Sequence, residues 1–196
     1  MRVIAGEFRS RQLQAPRGTA TRPTSDKLRE TLFNVLGARV AGANFIDLYA
    51  GSGAVGIEAI SRGAEFCWFA EKAAPAAAAI RANLRALKIA GGYAIEDRGV
   101  ARLLSGLVKS ARVVNVVFLD PPYEAVEEYA RTMGFLGEHA AEVLAQDAVV
   151  VAEHARKAEL VERYGELMRY RVLEQGDAAL SFYKRVSESA SQQVSE

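Results

Sequence analysis

Of 196 residues only one is cysteine, Cys67. That excludes every disulfide framework and every multi-cysteine zinc site, and Cys67, between Phe66 and Trp68, reads as a small buried residue. No carboxylate or cysteine spacing around His139 or His154 makes a ligand set, and both read as surface or helix-end histidines. Long apolar runs are also missing. The longest, near Val113–Leu119 and Ala148–Ala152, are too short to cross a bilayer, and Met1 to Arg9 have no apolar core behind their basic residues. The expectation is a cytoplasmic protein with no membrane partner and no metal. With 5 prolines, 16 glycines and 50% hydrophobic residues the composition is that of one ordinary folded domain, and no internal repeat is present.

The near-zero net charge of +1 hides an asymmetry. Residues 1–43 carry eight basic residues (Arg2, Arg9, Arg11, Arg17, Arg22, Lys27, Arg29, Arg39) against Glu7, Asp26 and Glu30, a net of +5; the remainder has 17 basic and 21 acidic residues, a net of −4. A basic arm on an acidic body suggests a polyanionic partner reached through the arm.

The arm begins with a short hairpin, Arg2 to Ala5 against Ser10 to Leu13, turning near Gly6–Arg9. After Pro23, Thr24 or Ser25 caps a helix with the apolar stripe Leu28, Leu32, Phe33, Val35 and Leu36, running to about Arg39. From Asn44 strands and helices alternate. Strands are predicted at Phe45–Tyr49, Phe66–Ala70, Tyr93–Glu96, Val113–Leu119 and Ala148–Glu153, with helices at Ala54–Ser61, Pro75–Leu87, Val100–Leu107 and Glu124–Leu136. Leu167–Glu174 and Ala178–Val186 form an antiparallel hairpin, and Ser187–Glu196 is a polar, disordered tail. This pattern describes an α/β, doubly wound, mostly parallel sheet of seven strands with an antiparallel C-terminal hairpin. The division is an extension (1–43), a sheet domain (44–186) and a tail (187–196).

Ligands of such sheets bind beyond the carboxyl ends of the strands. The loop after the first strand, Asp47-Leu-Tyr-Ala-Gly-Ser-Gly53-Ala-Val-Gly56, satisfies G-x-G-x-x-G, with Glu71 ending the next strand 20 residues after Gly51. A dinucleotide is one reading of it. Asp47 argues against a pyrophosphate and for a cofactor carrying an amino group and a sulfonium, while Glu71 can accept from both ribose hydroxyls. S-adenosylmethionine fits both carboxylates.

The loop after the fourth strand is Asp120-Pro121-Pro122-Tyr123. It resembles the D/N-P-P-F/Y tetrapeptide of methyltransferases that modify exocyclic amines of bases. Such an amine is conjugated with its ring and a poor nucleophile, so two acceptors on its N–H bonds are needed to free the lone pair. The Asp120 carboxylate and the Pro121 carbonyl, held rigid by Pro122, are the candidate acceptors, with Tyr123 stacking on the base. A carboxylate matches the adjacent N1–H and N2–H donors of guanine, although adenine enzymes also use Asp at this place.

With Arg2-Val-Ile-Ala-Gly, Arg11-x-Leu13, Pro16-x-Gly18 and Arg22-Pro-Thr-x-Asp26-x-x-Arg29-Glu30-x-Leu32-Phe33-Asn34 included, nearly the whole chain resembles the bacterial 16S ribosomal RNA guanine-N2 methyltransferase (RsmD) family. The resemblance implies a Rossmann-like class I methyltransferase acting on one guanine of 16S ribosomal RNA within a partly assembled small subunit, with a monomer expected. An adenine-N6 methyltransferase acting on DNA or RNA is the alternative. The resemblance to the RsmD family places Asp47, Tyr49, Gly51, Ser52 and Gly53, with Glu71 and Lys72, around S-adenosylmethionine, together with Asp120. Arg2, Arg9, Arg11, Arg22, Thr24 and Arg29 fall on the substrate side. Many methyltransferases read the cofactor adenine with Asp or Asn after the third strand; here Gly99 and Val100 stand there, leaving their backbone groups or Asp97 for that contact.

Overall fold

The computed structural model describes residues 1–16, 24–122 and 125–186. The five parallel strands are β1 (Asn44–Leu48), β2 (Phe66–Ala70), β3 (Tyr93–Glu96), β4 (Val114–Leu119) and β5 (Leu144–Ala155). They are followed by β6 (Arg163–Tyr164), β7 (Leu167–Gln175) and β8 (Ala178–Arg185). All eight form one sheet in the order β3-β2-β1-β4-β5-β8-β7-β6, parallel from β3 to β5 and antiparallel beyond. The seven expected strands are present. The eighth, β6, is a two-residue edge strand too short to leave a periodicity.

Among the described residues six α-helices cover the two faces: α1 (Asp26–Leu36), α2 (Ala54–Ser61), α3 (Ala74–Ala86), α4 (Val100–Ser110), α5 (Val126–Glu138) and α6 (Ala140–Val143). The Ser25 side chain caps α1 by accepting from Leu28 N–H at 3.1 Å, and the stretch expected to stay helical to Arg39 tightens into a 3-10 turn at Gly37–Arg39. Alternation along the strands sorts the core. Phe45, Phe69, Phe118 and Val151 face α1, α2 and α3, whereas Ile46, Leu48, Val117 and Val150 face α4, α5 and α6. Each fully buried Leu or Phe of the α1 stripe contributes about 2 kcal/mol of burial.

The N-terminal hairpin is there, with Val3 N–H donating to the Arg11 carbonyl at 3.0 Å and Leu13 N–H to that of Met1 at 3.0 Å. It does not hang free. Val3 and Leu13 are buried in the same cluster as α1 and α2. The Glu58 carboxylate, wholly buried on α2, accepts from Ile4 N–H (2.7 Å), Ala5 N–H (3.0 Å) and Arg62 Nε (2.7 Å). At Gly6 (φ +82°) a Cβ would fall 1.8 Å from the Ser61 carbonyl oxygen, so only glycine fits where the turn meets the end of α2. No helix among the described residues is long and apolar enough to cross a membrane.

Candidate active site

The first turn leaves β1 at Asp47, only 2% exposed, and enters α2 through three residues of positive φ, Tyr49 (+62°), Gly51 (+55°) and Gly53 (+76°). The Asp47 Oδ2 accepts from Gly56 N–H at 2.8 Å, tying the strand end to the first turn of the helix. A Cβ on Gly56 would sit 2.3 Å from the Phe69 ring, so this third glycine lets α2 lie close on β2. Glu71, just past β2, reaches back across the turn: Oε2 accepts from Gly51 N–H at 2.8 Å and Oε1 from Ala73 N–H at 2.8 Å. Burial pushes the Asp47 carboxyl up to about 8; the Gly56 bond and the Arg29 charge oppose that rise, and the Glu71 charge adds to it.

This arrangement suits S-adenosylmethionine. Two carboxylates flank a turn whose Gly51 has open space where a side chain would stand. Each carboxylate oxygen holds further acceptor capacity for an ammonium or a ribose hydroxyl. Among the other residues expected here, Ser52 is nearly buried, its hydroxyl against Met1 Sδ at 3.2 Å and its carbonyl accepting from Asn83 Nδ2 at 3.0 Å. Tyr49 contributes its backbone, because its hydroxyl bonds Glu128 and Thr132 of α5, both at 2.8 Å. Lys72 is exposed beside Gly99, which opens α4 ahead of Val100. Asp97, the other candidate for the adenine contact, is engaged by Arg81 of α3 at 2.7 Å.

The second turn leaves β4, the neighbour of β1, with Leu48 opposite Leu119. Asp120 follows, its N–H donating to the Leu48 carbonyl at 3.4 Å. The buried Tyr129 hydroxyl of α5 donates to the Pro121 carbonyl at 3.4 Å and to the Glu153 carbonyl at 2.9 Å, and the Pro122 carbonyl accepts from Ala125 N–H at 2.7 Å. The Pro121 carbonyl expected to face a substrate therefore already accepts one long bond, leaving its second lone pair. Tyr123 lies outside the described residues. Burial, with the charges of Glu153 and Asp47, raises the Asp120 carboxyl well above the usual carboxylate range, against the pull of the Thr24 hydroxyl.

Residues expected on the substrate side divide. Arg2, Arg9 and Arg11 are exposed on the hairpin, Arg2 within 3.7 Å of Asp26. Arg22 lies outside the described residues. Arg29 requires a correction: it is 0% exposed, donating to the Asp26 carboxylate at 3.0 Å and to the Arg2 carbonyl, so it ties α1 to the hairpin instead of meeting RNA. Its reach inward follows from its place on the buried stripe with Leu28 and Leu32. Thr24 is also held from within, its hydroxyl donating to Glu153 Oε2 at 2.8 Å.

Glu153 on β5, 4% exposed, was not among the expected site residues, nor were Glu58 and Asn83. An acidic residue ending a buried strand beside the Asp120 strand was the available signal. Asn83 links the arm to the glycine turn by accepting from Gln14 N–H at 2.8 Å and donating to the Ser52 carbonyl. His139 does end α5, paired with Glu142 at 2.7 Å, but His154 is a buried residue of β5 bonded to the Ser181 hydroxyl at 2.9 Å, because β5 is covered on both faces. Among the described residues no group of three or more His, Cys, Asp or Glu side chains could hold a metal ion.

Comparison with known proteins gives the family. A family model described as conserved hypothetical protein 95 matches residues 1–184. The chain is 36% identical over 185 residues to YlbH of Bacillus subtilis (strain 168), named for an rRNA methyltransferase, covering 94% of this chain and 99% of that one. It is 36% identical over 123 residues to ribosomal RNA small subunit methyltransferase D of Escherichia coli (strain K12), covering 63% and 60% of the two chains. The solved structure of the Escherichia coli methyltransferase yhhF superposes with a TM-score of 0.77 at 31% identity, over 96% of this chain and 99% of that one. The chain thus belongs to the family of conserved hypothetical protein 95, the RsmD-type S-adenosylmethionine-dependent rRNA methyltransferases.

Proposed function

We propose that this enzyme transfers a methyl group from S-adenosylmethionine to the exocyclic N2 amine of one guanine in 16S ribosomal RNA. It acts as a cytoplasmic monomer on a partly assembled small subunit. One observation carries the reading: the carboxylate of Asp120 and the Asp47 turn leave neighbouring parallel strands at the same, carboxyl, end of the sheet. A methyl donor in the turn and an amine on Asp120 would then meet in line, which is the positioning an uncharged, unactivated amine needs.

In this reading Asp47, Gly51 and Gly53 hold the methionine and ribose side, Glu71 the ribose, and the backbone of Gly99 and Val100 the adenine. The methyl group leaves a sulfonium for the lone pair of the base nitrogen. Asp120 and the Pro121 carbonyl accept the two amine hydrogens, Tyr123 stacks on the base, and Arg2, Arg9 and Arg11 meet phosphates. A carboxylate on the Watson–Crick edge favours guanine, whose N1–H and N2–H are both donors, over adenine, whose N1 is an acceptor. The names of YlbH and of methyltransferase D, an rRNA and a small-subunit rRNA methyltransferase, support the choice of RNA.

The test is methyl transfer from labelled S-adenosylmethionine to partly assembled small subunits, to naked 16S RNA and to duplex DNA, with the modified nucleoside identified in each product. N2-methylguanosine from the subunit is expected. N6-methyladenine from any of the three would replace the reading.

A further inference from the structure

We propose that Glu153 is a positioning residue for methyl transfer: together with Thr24 it acts through Asp120, aiming that carboxylate at the target amine and stabilising the proton that Asp120 takes from it. The inference rests on the reading above that Asp120 faces the amine, and adds a residue to that site.

Sheet register brings the two carboxyl groups together. On the parallel pair β4 and β5, Phe118 stands opposite Val151 and Leu119 opposite Ala152, so the next pair in register is Asp120 and Glu153. Neighbouring strands are about 4.8 Å apart, and residues two positions on return to the same face. Phe118 and Val151 face α1, so Asp120 and Glu153 do as well. Thr24 lies just before α1 and closes over them: its hydroxyl donates to Glu153 Oε2 at 2.8 Å and favours the ionised form of Asp120. On the other side of the strands the Tyr129 hydroxyl bonds the carbonyls of both Pro121 and Glu153, which fixes the two strand ends relative to each other.

Two carboxyl groups this close and this buried do not both ionise readily; the pair favours one shared proton. The groups facing Asp120 are Glu153 from β5, Asp47 from β1 and the Thr24 hydroxyl from the segment before α1, with Tyr129 of α5 behind the loop. Burial, with the charge of Glu153, makes Asp120 a stronger base than a solvated carboxylate. During transfer the nitrogen–carbon bond forms as the carbon–sulfur bond breaks, the sulfur keeping the electron pair as a neutral thioether. The surplus amine proton passes to ionised Asp120, and the resulting carboxylic acid can donate a hydrogen bond to Glu153.

The experiment compares wild type with Glu153→Gln, Thr24→Val, Thr24→Ser and Asp120→Asn. Glutamine keeps the shape and the oxygen that accepts from Thr24 but not the charge. Glu153→Gln is expected to keep its cofactor affinity and its KM for RNA within a few-fold, while the single-turnover rate falls tenfold or more. The acid limb of its pH–rate profile should move to lower pH, because removing a neighbouring negative charge makes Asp120 easier to ionise. Independently of activity, infrared difference spectra of wild type minus Glu153→Gln, without substrate, should show the carbonyl stretch of a buried protonated carboxyl group at neutral pH. Thr24→Val should slow transfer several-fold at unchanged KM, and Thr24→Ser should restore it, which keeps the proposal open to test even where Glu153→Gln folds poorly. An unchanged rate, acid limb and carboxyl band in Glu153→Gln overturn the proposal. If Asp120→Asn abolishes transfer in that case, only the role of Glu153 falls; if Asp120→Asn is also fully active, the reading of Asp120 falls with it.

Discussion

The carboxylate of Glu58, buried in the middle of α2, accepts hydrogen bonds from the backbone N–H groups of Ile4 and Ala5. One side chain therefore fastens the basic hairpin to the helix that follows the glycine turn, and places Arg2, Arg9 and Arg11 on the body of the enzyme.

Removing that fastening should be costly. Glu58→Ala strands two backbone donors and the Arg62 guanidinium that the carboxylate now satisfies. A loss of about 3 kcal/mol or more is expected in urea denaturation, from a broken buried ion pair and unpaired donors. A loss within about 0.5 kcal/mol, the range of ordinary surface substitutions, would mean that the hairpin docks without it.

Gly6→Ala should act on the same junction by sterics, since its Cβ would meet the Ser61 carbonyl oxygen at 1.8 Å in a left-handed backbone. Faster backbone hydrogen exchange at Ile4, Ala5 and Phe8 than in wild type is the expected result. Unchanged protection there would show that the turn can rearrange freely.

Arg9 and Arg11 are exposed although their hairpin is packed. Replacing both by Ala should leave unfolding stability within about 0.5 kcal/mol, weaken RNA binding, and flatten the log–log salt dependence by about 1–2. Equal salt slopes for wild type and variant would move RNA recognition to another surface.

Asp47 gives stability a pH dependence of known sign. Its carboxyl stays protonated to about pH 8 in the folded protein but ionises near its ordinary value of 3.8 when unfolded. Between those values unfolding releases a proton, so this group makes stability fall as pH rises. Asp47→Asn should remove that part of the slope in denaturation series at several pH values. A cofactor ammonium beside Asp47 would favour its ionised form, so cofactor binding should release a proton, detectable by calorimetry in buffers of different ionisation enthalpy. Parallel pH slopes for wild type and Asp47→Asn would contradict the burial of a protonated Asp47.

The sheet was legible because its strands are short apolar runs bounded by Gly, Pro and Asp, and β2 and β3 have the bounds the pattern predicts. β5 starts four residues earlier than expected, at Leu144, because its first turns carry exposed Gln146 and Asp147 and break the apolar run. The places of the Asp47 turn, Glu71 and Asp120 at strand ends were legible because each closes or directly follows a short apolar run. The inward partners of Arg29 and Thr24 were not legible for one physical reason. A polar residue beside a basic arm reads as solvated, whereas here both side chains turn inward onto acidic groups, Asp26 for Arg29 and Glu153 for Thr24. Glu153 itself needed the third dimension, because only the β4–β5 register sets it beside Asp120.

The most direct test of the account is mass-spectrometric mapping of modified nucleosides in 16S ribosomal RNA from cells with the wild-type protein, without it, and with Asp120→Ala. The account predicts one N2-methylguanosine that is present with wild type and absent in the other two, while purified Asp120→Ala still binds S-adenosylmethionine within a few-fold of wild type. The same set of modified nucleosides in all three, or a loss confined to methyladenine, would contradict it.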